Sequence, residues 1–176
     1  MPIRKRANHS PLVSIIIPTM GRATLLRECL LSVQKQNYSS YEVIIVDDSP
    51  HNQVFLTLKE FQSLPILHIH RLHVKKRRAH AITTARNLAI SIAQGQFIAF
   101  LDSDDLWYPD HLQFLVNELS HKNFSVATAC YDWIDQEGKL ICQFYFNKRI
   151  SILPAFVKER VKPTNFLNNF TSKNCS

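Results

Sequence analysis

Three aspartates follow an apolar pentapeptide in the middle of the chain, and their spacing suits metal binding. Residues 97–101 are Phe-Ile-Ala-Phe-Leu and predict a buried central strand, after which come Asp102, Asp104 and Asp105. In extended backbone Asp102 and Asp104 project to the same side, where unpaired carboxylates are costly to desolvate. A hard cation such as Mg²⁺ or Mn²⁺ prefers such oxygen ligands. A solvated acidic turn is the alternative that these residues alone leave open.

Two earlier apolar runs also end in polar residues. Residues 43–46 lead into Asp47 and Asp48, and the run at 12–17 ends at Thr19. Strand patterns that alternate with helical spacing predict right-handed crossovers and an α/β fold, a mostly parallel twisted sheet with helices on both faces. Ligands of such sheets bind beyond the carboxyl ends of the strands. We therefore expect these polar ends and the three aspartates to meet at one crevice.

The other elements follow from apolar spacing and from local end signals. Helices are expected over residues 24–36, 54–61 and 81–92 and from Pro109 onward, and strands over 66–69, 124–129 and 140–144. Thr24 is the expected amino-terminal cap of the first helix, Gly95 the carboxyl cap of the third, and Pro109 is expected in the first turn of the fourth. His68 and His70 share one face of the expected third strand, without the spacing of a zinc site.

Composition and charge indicate a globular chain with anionic partners. The 176 residues are 45% hydrophobic and 20% charged, with a net charge of +7 and a pI of about 9.4. The basic clusters at 4–6 and 75–78 lack the interleaved aromatic residues of a single-strand-binding surface, so no nucleic-acid partner is predicted. The four cysteines show no Cys-x-x-Cys spacing, and no apolar run approaches the ~20 residues of a membrane span. We expect a cytoplasmic protein.

The chain holds few glycines, and this limits its nucleotide chemistry. With only Gly21, Gly95 and Gly138, neither a dinucleotide fingerprint nor a Walker loop can be written. A diphosphate in the crevice would meet carboxylates, and like charges ~4 Å apart repel by about 4 kcal/mol at an effective dielectric of 20. A divalent cation must therefore mediate. This arrangement suits a reaction whose leaving group is a nucleoside diphosphate.

Four segments in order resemble family-two glycosyltransferases of the GT-A fold, a Rossmann-like nucleotide-sugar-binding architecture. They are residues 13–19, 42–49, 85–87 and 95–105. The resemblance implies an inverting transferase that takes a nucleotide-activated sugar, most often UDP-linked, and uses Mn²⁺ or Mg²⁺. It also implies a glycan or lipid-linked acceptor and, by analogy, peripheral contact with the membrane. We accordingly expect a basic arm at 1–10, the GT-A domain at 11–148 and an incomplete acceptor-side segment at 149–176.

The resemblance also assigns roles by position. The implied donor-binding residues lie at strand ends and on the third helix: Pro18, Thr19, Arg22, Asp47, Asp48, Arg86, Asp102 and Ser103. Asp104 is implied as the principal metal ligand, with Asp102 and Asp105 beside it. Two alternatives stay open, namely that Asp47 or Asp48 caps the following helix and that Arg86 pairs with a surface acid. Trp107 and Tyr108 are expected either to touch a sugar or to pack under the fourth helix.

The catalytic base is the part of the family pattern that this sequence lacks. An inverting displacement needs a carboxylate within hydrogen-bond reach of the acceptor hydroxyl, and the family supplies it from further along than this chain extends. Asp132 is the least unsuitable substitute. The second hypothesis is therefore a truncated nucleotide-sugar-binding remnant without catalysis. A nucleotidyltransferase is disfavoured because no glycine-rich loop follows the first strand, and a phospho-acceptor domain because its acidic pair would have to stand there.

Overall fold

The computed structural model describes residues 10–71, 78–122, 125–129, 131–135 and 138–144. The regular elements within these ranges are β1 (Val13–Thr19), α1 (Ala23–Gln34), β2 (Tyr41–Asp47), α2 (Gln53–Leu58) with a 3₁₀ turn (Lys59–Phe61), β3 (Ile66–His70), α3 (Arg78–Ile92), β4 (Phe97–Phe100), α4 (His111–Lys122), β5 (Tyr131–Ile134) and β6 (Leu140–Phe144). The expected arm, apart from Ser10, and the expected segment 149–176 lie outside the described residues.

Four parallel strands form the sheet, in the order β3-β2-β1-β4. The predicted α/β class is confirmed. The prediction that residues 97–101 form the buried central strand is wrong in its position: β1 is central and wholly buried, whereas β4 pairs with β1 on one side only within the described chain. Phe100 is consequently 51% exposed. An apolar run indicates a strand, but its place in the sheet depends on which neighbours pair with it.

The helices cover both faces of the sheet, and alternating side chains of β1 meet them. Ile15 and Ile17 pack into a core shared with α1, α2 and α4, whereas Ile16 packs on the other face against α3. The buried alanines in that second core are Ala85 and Ala89 of α3 and Ala93 directly after it, spaced four apart. Small side chains let this helix lie close to the sheet, and each fully buried isoleucine of β1 contributes roughly 2–3 kcal/mol.

Two helix starts differ from the expected ones. α1 begins at Ala23 with Arg22 at the cap position, so Thr24 lies inside the first turn and is not the cap. α4 begins at His111, and Pro109 precedes it. Gln36, which lies two residues after α1, caps the start of α4. Its Oε1 accepts a hydrogen bond from the Leu112 N–H at 3.0 Å. The start of α4 is thus satisfied by a tertiary partner, and Pro109 lies before the helix and not in its first turn as predicted.

Gly95 is required for close packing and not as a left-handed helix cap. Its φ is not positive, but a Cβ built on it would lie 2.5 Å from both the backbone nitrogen and the Oγ of Ser14. Its N–H donates to Ser14 Oγ at 2.8 Å. The prediction of a capping role is therefore wrong, and the reason is the approach of a neighbouring strand that spacing along the chain does not reveal.

The last described region is an antiparallel hairpin. β5 and β6 pair with Trp133 opposite Cys142, and β6 confirms the strand expected at 140–144. The strand expected at 124–129 is wrong over its described part: residues 125–129 have no regular structure. Serine and alanine in this stretch are weak strand formers, and the pairing begins two residues later.

Candidate functional site

The carboxyl ends of the four parallel strands bring the polar strand ends to one edge of the sheet. We call this the carboxyl edge and define it by Thr19 and Arg22, Asp47–Ser49, His70–Arg71 and Asp102–Asp105. Backbone hydrogen bonds tie neighbouring parts together: the Asp48 N–H donates to the Thr19 carbonyl at 3.0 Å, and the Leu101 N–H donates to the Ile16 carbonyl at 3.1 Å. The expected convergence of the acidic strand ends is therefore present in the fold.

The carboxyl edge carries three arginine–aspartate pairs. The pairs are Arg71 with Asp48, Arg86 with Asp102 and Arg22 with Asp104. The sequence analysis named five of these six residues but did not pair them, and it missed Arg71. The sequence signal that could have identified Arg71 is its position just beyond the expected third strand, because that position faces the same edge as Asp48.

The Arg71–Asp48 pair is the most buried of the three. Arg71 donates from Nε to Asp48 Oδ1 at 2.7 Å and from Nη2 to Oδ2 at 2.6 Å, and the side chains are 17% and 6% exposed. Nη2 also donates to the Ala81 carbonyl of α3 at 3.1 Å. The alternative that Asp48 caps the next helix is wrong, since α2 starts at Gln53 after Asn52. A ligand can reach only the narrow exposed margin of this carboxylate.

Asp47 is turned into the protein. It is 1% exposed, its Oδ1 accepts a hydrogen bond from the Ser49 N–H at 2.8 Å, and its Oδ2 lies 3.4 Å from His68 Nε2. Burial alone would raise the pKa of Asp47, but the neighbouring His68 and Ser49 lower this pKa below its usual value. Asp47 therefore fastens the turn after β2. His68 and His70 stack on each other with centroids 6.2 Å apart.

The aspartates after β4 crowd together. The Asp105 N–H donates to the Asp102 carbonyl at 3.0 Å, which closes a tight turn. Burial, followed by the charges of Asp102 and Asp104, raises the pKa of Asp105. Burial and the same three carboxylates raise the pKa of the underlying Cys29 thiol to about 12. The negative potential of this turn is what a divalent cation would relieve.

The donor set fits a hard cation in type, although two of its members are already engaged. Asp102 lies 2.5 Å from Arg86, and Asp104 contacts Arg22, whereas no cation pairs with Asp105 among the described residues. Within these same ranges no group of three or more His, Cys, Asp or Glu side chains is arranged to hold a metal. The turn thus offers oxygen ligands, but a metal ion could bind Asp102 and Asp104 only if Arg86 and Arg22 moved away. Ser103 belongs to this turn and is buried.

Three buried polar atoms near the carboxyl edge make no hydrogen bond within the described residues, and one of them, His68 Nε2, has its contact with Asp47 instead. Within the described part of the chain, Thr19 Oγ1 and Arg86 Nε are inaccessible and make no hydrogen bond. Thr19 ends the central strand and is 6% exposed, and Pro18 is buried beside it. A buried polar group without a partner costs about 1–3 kcal/mol, so such groups require an explanation. A ligand oxygen at this edge would satisfy them only after a side-chain movement that exposes them.

Tyr108 links the acidic turn to the hairpin. Its hydroxyl donates to Asp132 Oδ2 of β5 at 2.6 Å, and its ring is largely exposed. Trp107 packs against the core and stacks on His111 at 4.6 Å, so the packing alternative holds for this residue. Burial lowers the pKa of His111. Asp132 is therefore positioned by a residue that lies three positions after Asp105.

The architecture is a parallel α/β domain with an acidic carboxyl edge, and sequence comparison gives the family. The profile described as Glycosyl transferase family 2 matches residues 14–172, and the chain belongs to this family. An uncharacterized glycosyltransferase of Rickettsia felis is 35% identical over 138 residues, which are 78% of this chain and 22% of that protein. The Escherichia coli UDP-Glc:alpha-D-GlcNAc-diphosphoundecaprenol beta-1,3-glucosyltransferase WfgD is 32% identical over 72% of this chain and 48% of its own length.

A solved structure supports the fold assignment. The mannosyltransferase PcManGT of Pyrobaculum calidifontis, in complex with GDP-Man and Mn²⁺, matches with a TM-score of 0.58 at 26% identity over 72% of this chain and 37% of that one. The fold is therefore GT-A, and the chain spans about a fifth to a half of the length of the proteins it matches. Over the described ranges, no helix combines the length and hydrophobicity needed to span a bilayer.

Proposed function

We propose that this chain forms the donor-binding part of a glycosyltransferase that moves a sugar from a UDP-sugar to a glycan or lipid-linked acceptor. The observation that carries the proposal is the cluster of Asp102, Asp104 and Asp105 at the carboxyl end of β4, beside the unsatisfied hydroxyl of Thr19. WfgD is named for a UDP-linked donor and a lipid-linked acceptor. Such an acceptor would bring a cytoplasmic chain into peripheral contact with the membrane.

The proposed metal site lies on the acidic turn. Asp104 and Asp102 would hold Mn²⁺ or Mg²⁺ with Asp105, and the bound ion would neutralise the charge that develops on the departing diphosphate. The crowding of these carboxylates, seen in the raised pKa of Asp105, supports the assignment. The match to a mannosyltransferase solved with Mn²⁺ supports it as well.

The proposed donor contacts come from the other strand ends. Thr19 Oγ1 and the margin of Asp48 would meet the nucleoside, with Pro18 forming the floor and Asp47 supporting the turn. Arg22 and Arg86 would meet the diphosphate, since a guanidinium group binds phosphate oxygens in its planar fork. Ser103, being buried, would act through its backbone.

Asp132 is the proposed base among the described residues. Its Oδ2 accepts the Tyr108 hydroxyl, which orients the carboxylate toward a fixed position next to the acidic turn. General-base catalysis contributes typically 10²–10⁴-fold. Sugar transfer by the purified 176-residue chain would support this proposal over a non-catalytic nucleotide-sugar-binding remnant, whereas binding without turnover would favour the remnant.

Metal-dependent thermal stabilisation tests the proposed function. UDP, GDP and CDP are each added to the purified chain with Mn²⁺ or with EDTA, and the melting temperature is recorded. We expect UDP to stabilise only with Mn²⁺, by about 2.7 kcal/mol at a hundredfold excess over Kd. Asp104→Asn should abolish the shift. Asp110→Asn is the matched control, because Asp110 is also an exposed aspartate and pairs with Asn37 away from the edge. A chain that no nucleotide stabilises in the presence of metal would contradict the proposal.

A further inference from the structure

Two arginines hold the carboxylates that the proposed metal ion would need. Arg22 stands at the start of α1, on one face of the sheet, and reaches Asp104 Oδ2 through Nη1. Arg86 lies on α3, which packs on the opposite face, and its Nη2 lies 2.5 Å from Asp102 Oδ1. The two guanidinium groups thus approach the acidic turn from both sides of the sheet.

Both pairs are open to ligands. The side chains of Arg22 and Asp104 are 56% and 43% exposed, and those of Arg86 and Asp102 are 35% and 48% exposed. The Arg71–Asp48 pair, at 17% and 6%, is closed by comparison. Exposed ion pairs exchange partners at low cost because water solvates the separated charges.

The charges of the acidic turn do not cancel one another. Among the described residues, three carboxylates face two guanidinium groups, which leaves one negative charge over. A divalent ion that joined this arrangement would meet two guanidinium groups at close range, and a diphosphate that joined it alone would meet the carboxylates. Neither ligand is well accommodated without the other.

We propose that Arg22 and Arg86 hold Asp104 and Asp102 in the absence of ligands and move to the diphosphate when metal and nucleotide bind together. This inference rests on the proposed function. Asp102 and Asp104 would then be released to hold the metal ion, and Arg22 and Arg86 would donate to the phosphate oxygens. Metal and nucleotide therefore bind as a coupled pair, and Arg22 is a coupling residue and not only a contact for the diphosphate.

Arg22 is the better of the two arginines to test. Arg86 also lies 5.7 Å from the Phe100 ring and has a buried Nε, so its replacement would disturb packing. Arg22→Gln removes the charge from a largely exposed position. Arg27→Gln is the matched control, since Arg27 lies on the same helix, is 50% exposed and pairs with Glu60 away from the acidic turn.

The experiment measures Mn²⁺ binding to the full chain by the loss of the free-ion EPR signal, without nucleotide and then with saturating UDP. Without nucleotide, we expect Arg22→Gln to bind Mn²⁺ about two- to fivefold more tightly than the wild type, the range that an exposed ion pair accounts for. Arg27→Gln should match the wild type. UDP should tighten Mn²⁺ binding in the wild type and do so less in Arg22→Gln.

A second probe separates base recognition from charge exchange. Inorganic pyrophosphate carries the diphosphate without a base, so it should also couple to Mn²⁺ in the wild type and less in Arg22→Gln. Arg22→Lys retains the charge and should keep metal-alone binding near the wild-type value. Melting curves of each variant report its folding.

The outcomes distinguish this inference from the proposed function. If UDP and Mn²⁺ bind together but Arg22→Gln and Arg27→Gln have the same metal affinity, the exchange is wrong and the donor site stands. If Arg22→Gln weakens Mn²⁺ binding in the absence of nucleotide, the exchange is likewise wrong. If the wild type binds Mn²⁺ neither alone nor with UDP, the proposed metal site and the exchange are both wrong.

Discussion

The two ends of the same parallel sheet are built differently. At the amino end, Ser14 Oγ donates to Glu42 Oε1 at 2.6 Å, the Gln94 N–H donates to the same oxygen at 2.7 Å, and the Gly95 N–H donates to Ser14 Oγ at 2.8 Å. These groups satisfy one another. At the carboxyl end, Thr19 Oγ1 and Arg86 Nε make no hydrogen bond within the described residues, and the Arg22–Asp104 and Arg86–Asp102 ion pairs are exposed.

The difference shows where stability and ligand binding reside. A closed network of hydrogen bonds at the amino end joins β1, β2 and the segment before β4 and leaves little room for change. The carboxyl end keeps charges and polar atoms that the protein itself does not fully satisfy, which is the condition for binding a charged ligand. One buried pair, Arg71 with Asp48, departs from this division because it lies at the carboxyl end but resembles the amino end in its burial.

The largest effect on stability is expected at the buried Arg71–Asp48 pair. Arg71→Met leaves the buried Asp48 carboxylate without its partner, and we expect a loss of about 3–5 kcal/mol in the free energy of unfolding, measured by urea denaturation. Arg22→Gln, which breaks an exposed pair at the same edge, should cost at most about 1 kcal/mol. Adding Asp48→Leu to Arg71→Met should restore most of the loss. Equal losses for the two single variants would erase the distinction between buried and exposed pairs.

The next effect belongs to the amino end. Gly95→Ala places a Cβ 2.5 Å from the Ser14 backbone, and we expect a destabilisation of about 3 kcal/mol in urea denaturation because the strand must shift. Gly138→Ala meets no atom within 4 Å and carries only the strain of its φ of +77°, so it should lose about 1–2 kcal/mol. Folded Gly95→Ala protein should still bind UDP with metal. A variant that folds normally but no longer binds UDP would overturn the separation of the two ends.

The smallest effect tests the crowding at the acidic turn. The pKa of Asp105 is raised in the folded state, so the folded protein holds this proton more tightly and the ionised form opposes folding at neutral pH. Asp105→Asn should therefore increase the free energy of unfolding slightly at pH 7 without metal, by less than about 0.5 kcal/mol in urea denaturation, since the site is partly solvated. The gain should vanish as the pH falls below the ordinary aspartate value, where the carboxyl is protonated in both states. A loss of stability at pH 7 would contradict the crowding.

Local patterns were sufficient for the class of fold and for the position of the acidic turn. The apolar runs before Asp47 and Asp102 predict β2 and β4, and the apolar stripe of α3 predicts its contact with the sheet. The same patterns misplace the starts of two helices. α1 begins at Ala23 with Arg22 and not Thr24 at the cap position, and α4 begins after Pro109, where Gln36 caps it. They also assign a strand to residues 125–129, where no partner is present among the described residues.

The sequence by itself determined that acidic residues end buried parallel strands, because residue type and spacing encode burial and direction. Only the tertiary structure decided that β1 is central and that Asp48, Asp102 and Asp104 each have an arginine partner. Arg22 and Asp104 are separated by 82 positions, and Arg71 and Asp48 by 23. Charges that far apart in the chain come together through strand order, which depends on packing of the whole sheet and not on any local pattern.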